Sequence, residues 1–431
     1  MKRTLTVIMV CMLSLAAVFA GGTGETAGSE EKQELKIFLP QSPGVQEGVQ
    51  AIADKFIEMN PGVTITIRTV PNAKYSEQLT VMWSSNEVDD IVMLAASEAT
   101  TRAAQGCLLP LDSIMTGEYR SAFLESSLNA AVYDGHYYSV PFKESASAMY
   151  YNKTLFALAG IEPATIDDPW TWEEFRENML KLRDTVKEKT GEDVWGLTFM
   201  TNPGQGDFWM TAIARSAGEK GSNTYKYISD DGMTLTGYAD TEEALHAYHF
   251  IQDLYTVDKL APNADVPDAF GTGKAATFVS FLATAANLEK NFPDLEWGLM
   301  PMPYFTTPVV QTGGISYEVS AKSKSPELAK RFVEFAASEE GVMTYFDAVG
   351  GELVSLKGFA ERHSEYYTSQ ASVFFSQILN LYGEGRPSSP AYAIFNSVMG
   401  FGFWPDIAKG ADVETTLREK IGIFEQQAAN L

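Results

Sequence analysis

Hydrophobic and polar positions in the first third of the chain fall into alternating strand and helix periods. Glu34-Leu35-Lys36-Ile37-Phe38-Leu39 reads as a strand, broken by residues 40–44. Val45, Val49, Ile52, Ala53 and Phe56 then recur at helical spacing until Asn60-Pro61-Gly62 stops the pattern. Val63-Thr64-Ile65-Thr66-Ile67 alternates apolar and polar side chains, and a second amphipathic segment covers 75–84. Asp90-Ile91-Val92-Met93-Leu94 is a continuous apolar run, the texture of a strand covered on both faces. A third helix, over 97–105, ends at Gly106. Strand, helix, strand, helix, strand, helix is the rhythm of an α/β fold with an open parallel sheet. Ligands on such sheets sit beyond the carboxyl ends of the strands. That rule points to Gln41 and Ser42 after the first strand, and to Ser97 and Glu98 after the third.

A different texture begins near Tyr133. Asp134-Gly135 supplies the positive-φ positions of a tight hairpin, and a strand is expected over 137–142. Thr171 and Glu174 make a capping box for a long helix, and two further helices announce themselves at Asp240-Thr241 and Ser325-Pro326-Glu327. A last helix is expected over 413–427, and no internal repeat or heptad pattern occurs.

The amino-terminal residues change the picture of where the protein works. Met1-Lys2-Arg3 is a cationic start, and Thr4 to Ala20 carries no charge before Gly21-Gly22. This predicts a secretory signal peptide over 1–20, cleaved after Ala20. Residues 21–34, rich in Gly, Ser, Thr and Glu, predict a disordered leader. Cys11 lies within the apolar run and no cysteine follows a small residue at the cleavage site, so a lipid anchor is not expected. With Cys107 the only other cysteine, the processed chain has no internal disulfide and no cysteine metal site. The formal net charge is -24, and loss of Lys2 and Arg3 makes it more negative. A field of that sign repels nucleic acid and anionic membrane surfaces, so a small ligand is the expected partner.

Motifs of several chemistries fail. His246 and His249 lie three apart on a helical segment, without the Glu and the i+4 spacing of a zinc protease. Gly271-Thr272-Gly273-Lys274 lacks the spacing of a phosphate loop, with Ala275 after the lysine. No Gly-x-Ser-x-Gly elbow occurs. Neither a metal nor another cofactor is expected. Two carboxylates meeting across a cleft, as a glycosidase needs, keep an enzyme alternative open.

Several segments, in order, resemble family 1 extracellular solute-binding proteins of ABC importers, the group that includes maltose-binding protein. They are Glu34 to Phe38 with Asn60-Pro61-Gly62-Val63; Asp89-Asp90-Ile91-Val92; and Gly106-Cys107-Leu108-Leu109-Pro110-Leu111-Asp112. Tyr150-Tyr151-Asn152-Lys153 with Trp170-Thr171-Trp172-Glu173-Glu174-Phe175 is the most specific stretch. Phe270-Gly271-Thr272-Gly273-Lys274-Ala275-Ala276, Thr312-Gly313-Gly314 and Glu339-Glu340-Gly341 complete the set. Asp89 stands where the family prefers proline, and Thr277 where it prefers methionine.

The resemblance implies two α/β lobes, each an open, mainly parallel sheet flanked by helices, joined by crossing strands with the ligand in the cleft. The amino-terminal lobe would be 35–140 plus 305–347, and the carboxy-terminal lobe 141–304 plus 348–431. It implies a monomeric periplasmic protein that captures a solute, a sugar or oligosaccharide first of all, and delivers it to a membrane permease. A polyamine or peptide ligand on the same scaffold and a secreted glycoside hydrolase are the alternatives. A sugar needs polar partners for its hydroxyls and aromatic faces for its CH surfaces. Besides Gln41, Ser42, Ser97 and Glu98, the ligand-binding set is therefore Glu144, Asp207, Trp209, Ser280, Phe281, Gly313, Gly314, Tyr392 and Trp404.

Overall fold

The computed structural model describes residues 33–431 apart from Gln205. The signal peptide over 1–20 and residues 21–32 of the expected leader lie outside the described residues. Gln33 and Glu34, counted with the leader above, are instead the first residues of a strand.

The opening rhythm is realised element by element. Strand β1 (Gln33–Gln41) leads to helix α1 (Val45–Met59), then β2 (Val63–Pro71), α2 (Tyr75–Ser84), β3 (Ile91–Ala95) and α3 (Ala96–Ala104). Each apolar position that set the helical period of α1, from Val45 to Phe56, is buried. β2, β1 and β3 pair in parallel. The sheet continues through Ile315–Val319, antiparallel to β3, to Val140–Lys143 at its edge. Four of its strands thus run one way and the returning strand 315–319 runs against them. One face carries α1 and the helices Pro326–Ala336 and Glu339–Val349; the other carries α2 and α3.

A second sheet has the order Trp297–Met300, Ala148–Asn152, Ala275–Ser280, Trp195–Phe199. Only the strand 148–152 runs against its neighbours. Its helices include Trp172–Thr190, whose amino terminus carries the full capping box between Thr171 and Glu174. The hairpin at Asp134-Gly135 has both residues at positive φ, 48° and 78°, as its turn type requires. The strand expected over 137–142 is split into His136–Tyr137 and Val140–Lys143. At Ser325 the helix starts where expected, but the serine hydroxyl donates to the Glu34 carbonyl and not to its own helix.

Three segments run between the sheets side by side. Residues 144–147 link Val140–Lys143 to Ala148–Asn152, and Ala146 bridges Thr312. Val310–Thr312 pairs in parallel with Gly383–Gly385. After the helix Glu339–Val349 the chain first returns to the first sheet, Val354 bridging Lys143 and the Ser355 N–H donating to the Phe142 carbonyl, whereas Phe375 further on lies against Tyr150 of the second. Residues from Ala391 to Ala428 complete the core of the second. Among the described residues no helix is long and apolar enough to cross a membrane.

Candidate functional site

The three crossing segments bring polar side chains from both halves together. Ser97 enters from the first turn of α3, directly after the carboxyl end of β3, where the open-sheet rule places ligands. Glu144 sits on the first crossing segment and Gly313-Gly314 on the second. Asp207 begins the helix Asp207–Arg215 and Tyr392 the helix Tyr392–Phe395.

At their centre is Arg386, just after the third crossing segment. Its Nη1 donates to Tyr392 Oη at 2.5 Å and to Ser97 Oγ at 3.3 Å, and lies 3.9 Å from the Asp207 carboxylate. The Tyr392 hydroxyl in turn reaches both Asp207 oxygens, at 3.2 and 3.3 Å. The guanidinium lies over the Phe208 ring, 4.9 Å from its centroid. Burial works against the charge of Arg386, but Asp207, Tyr392 and Glu144 outweigh it and raise its pKa, so the group stays cationic. Ser127 donates to Glu144 Oε1 at 2.5 Å. Burial nevertheless pushes the Glu144 carboxyl up to about 7, against the lowering effects of Ser127, the Ser145 backbone and Arg386.

Glycine at 313 and 314 is a packing requirement. A Cβ at Gly313 would stand 2.9 Å from the Phe208 ring and 3.0 Å from the Arg386 Nε; one at Gly314 would stand 2.5 Å from the Lys143 carbonyl. Ser97, Glu144, Gly313, Gly314 and Arg386 line one cavity of about 10 Å³. A groove of about 780 Å³ adjoins it, sharing Ser126, Gly385, Arg386 and Ser388. Lys220, Tyr225 and Lys226 also line it.

Of the residues drawn from the sequence, Ser97, Glu144, Asp207, Gly313, Gly314 and Tyr392 meet here. The others do not. Gln41 is exposed at the end of β1, with Ser42 beside it, and neither lines this cavity or the adjoining groove. Glu98 turns to the outer face of α3, where it accepts from Ser76 at 2.6 Å and pairs with Arg102 at 2.9 Å. Ser280 is buried against Thr284, Oγ to Oγ1 2.6 Å. Trp209 is packed between Phe199, Phe208 and Phe281 within the second core. Phe281 lies against Phe208 and lines a separate pocket of about 470 Å³ with Phe278 and Phe292. Trp404 is fully buried against Tyr248 and Phe403. The aromatic that does reach outward there is Phe401, 56% exposed. Arg386, Ser127 and Ser388 stand here too, outside the set drawn from the sequence. Arg386 had a visible mark, as the only Lys or Arg between Arg362 and Lys409. His246 and His249 face separate carboxylates, Glu173 and Glu414.

Comparison with known proteins adds to this geometry. The profile of the bacterial extracellular solute-binding protein family matches residues 41–343. The chain is 29% identical to the diacetylchitobiose binding protein of Streptomyces coelicolor, over 61% of this chain and 60% of that one. It is 22% identical to the multiple sugar-binding protein of Streptococcus mutans, over 81% of this chain and 82% of that one. The crystal structure of the cyclic α-maltosyl-1,6-maltose binding protein of Arthrobacter globiformis superimposes with a TM-score of 0.77 at 19% identity, over 92% of this chain and 99% of that one. With two helix-flanked sheets, three crossing segments and a polar cluster between them, this chain belongs to the bacterial extracellular solute-binding proteins, the substrate-binding components of ABC transporters.

Proposed function

We propose that the protein captures a sugar or oligosaccharide between its two lobes and presents it to a membrane permease. The observation that carries this reading is the cluster of Ser97, Glu144, Asp207, Tyr392 and Arg386, supplied by both halves of the molecule at the crossing segments. Such a cluster offers fixed donors and acceptors to a ligand rich in hydroxyls. The relatives named above are sugar-binding proteins, which supports the same ligand class. Lobe closure around the ligand belongs to the reading, with lobes built on the two sheets and meeting near residues 140 and 305. So do an exported monomer processed after Ala20, a periplasmic location, and binding without turnover. The net charge of -24 favours a cationic solute at long range, but the guanidinium at the centre of the cluster opposes one at contact.

A calorimetric panel of neutral saccharides, polyamines and short peptides tests the ligand class. Saturable binding of a neutral saccharide that is recovered intact is expected. Tighter binding of a polyamine or peptide, or cleavage of a bound oligosaccharide that a Glu144→Gln or Asp207→Asn change abolishes, would overturn it. Intact-mass and light-scattering measurements on the exported protein check the start at Gly21 and the monomeric state.

A further inference from the structure

Two groups at the centre of the cluster are buried and unpaired. Arg386 Nε has no acceptor and Glu144 Oε2 no donor, although Glu144 Oε1 takes the Ser127 hydroxyl and Arg386 Nη1 is held by Tyr392 and Ser97. Leaving a buried donor or acceptor without a partner is costly, more so for charged groups. Both residues line the same cavity of about 10 Å³, room for about one oxygen atom. The arrangement is held open on both sides by adjacent glycines. A Cβ at Gly313 would stand 3.0 Å from Nε, and one at Gly314 2.9 Å from Glu144 Oε1. The guanidinium cannot turn away, because Tyr392, Ser97 and Phe208 hold it.

We infer that Arg386 is a specificity-determining residue that, with Glu144, reads one hydroxyl group of the ligand, accepting from the hydroxyl at Glu144 Oε2 and donating to it from Arg386 Nε. This role rests on the sugar-binding reading and narrows it. Nε only donates, and the Glu144 carboxyl, ionised above about pH 7, then only accepts, so at such a pH the occupant must do both. A hydroxyl does. An ammonium satisfies Glu144 and is repelled by Arg386; a carboxylate satisfies Arg386 and is repelled by Glu144. The site therefore selects neutral polyols against both amino and acidic counterparts of the same sugar. Arg386 is fixed in advance by its other contacts, so its ordering is not charged to binding.

The experiment measures affinity calorimetrically for neutral mono- and oligosaccharides, the matching uronates and the matching amino sugars, in the wild type and in Arg386→Met and Glu144→Gln. The tightest neutral sugar is then tested as its series of monodeoxy analogues. The expected result has three parts. The neutral sugar binds best; one deoxy position weakens wild-type binding about tenfold or more; that same deoxy position costs severalfold less in Arg386→Met, where only the Glu144 contact is left to lose. A merely structural role for Arg386 would leave the deoxy penalty equal in both proteins, and that outcome overturns the proposal. Preference for a uronate or an amino sugar also overturns it. If no saccharide of the panel binds, the sugar-binding reading fails and takes this inference with it. Should Arg386→Met not fold, Arg386→Lys keeps the charge but has no Nε donor at that place, and the same deoxy comparison is read there.

Discussion

Single side chains show how far burial outranks composition. Glu318, on the returning strand 315–319, is fully buried, with one oxygen held by the Ser316 hydroxyl and Oε2 unpaired. Burial pushes its carboxyl up to about 8 from an ordinary 4.5. The native state then holds a proton that the unfolded chain has already lost. Stability contributed by the neutral form is present below about 4.5 and is lost as the pH rises toward 8. Glu318→Gln is therefore expected to leave stability nearly unchanged at pH 5 and to raise it by about 1–3 kcal/mol at pH 8.5. Urea midpoints at the two pH values check this, and equal effects at both would contradict it. Trp209, at 4% exposure among three phenylalanines, is expected to behave as core. Trp209→Ala should cost about 3–5 kcal/mol of unfolding free energy. An unchanged melting temperature with lost affinity would show that its ring faces the ligand.

Local rules predicted elements best where each residue's role is set by its immediate neighbours. The capping box of Trp172–Thr190 is complete, Thr171 Oγ1 accepting from the Glu174 N–H and Glu174 accepting from the Thr171 N–H at 2.8 Å. Thr171→Ala should lower stability by about 1 kcal/mol, read from chemical denaturation, with ligand affinity unchanged. Glycines at the crossing behave differently, because their constraint comes from segments remote in sequence. Gly314→Ala places a methyl against the Lys143 carbonyl. Something must shift, so a loss of about 1–3 kcal/mol is expected, and affinity should fall with it. Retained affinity and stability would show that the two crossing segments separate freely. The run from Gly400 to Trp404 illustrates a register error. Its glycines do expose an aromatic, but on the helical turn Asn396–Phe403 that aromatic is Phe401, while Trp404 turns into the core.

Across the whole molecule, α3 touches the far half through two polar contacts, Ser97 with Arg386 and Thr100 Oγ1 with Ser388 Oγ at 2.9 Å. If they help hold the lobes together, Thr100→Ala combined with Ser388→Ala should raise the radius of gyration of the protein without ligand in small-angle scattering. One hydrogen bond of this kind is worth about 0.5–1.5 kcal/mol, enough to shift a balanced equilibrium severalfold. An unchanged radius would mean that packing alone sets the closure. By itself the sequence determined the order and type of the early elements, the hairpin and the long helix's capping box, because these depend on period, turn chemistry and caps within a few residues. Its resemblance to a family carried the two-lobe plan and brought Glu144 into view, while Tyr392 was a candidate by its position behind Ser388-Ser389-Pro390. Only the tertiary structure decided that Arg386 stands at their centre, that Glu98, Trp209 and Trp404 do not, and that Gly313 and Gly314 leave room for the two unpaired groups. Those facts depend on which segments lie side by side after more than a hundred intervening residues, and no local period carries that information.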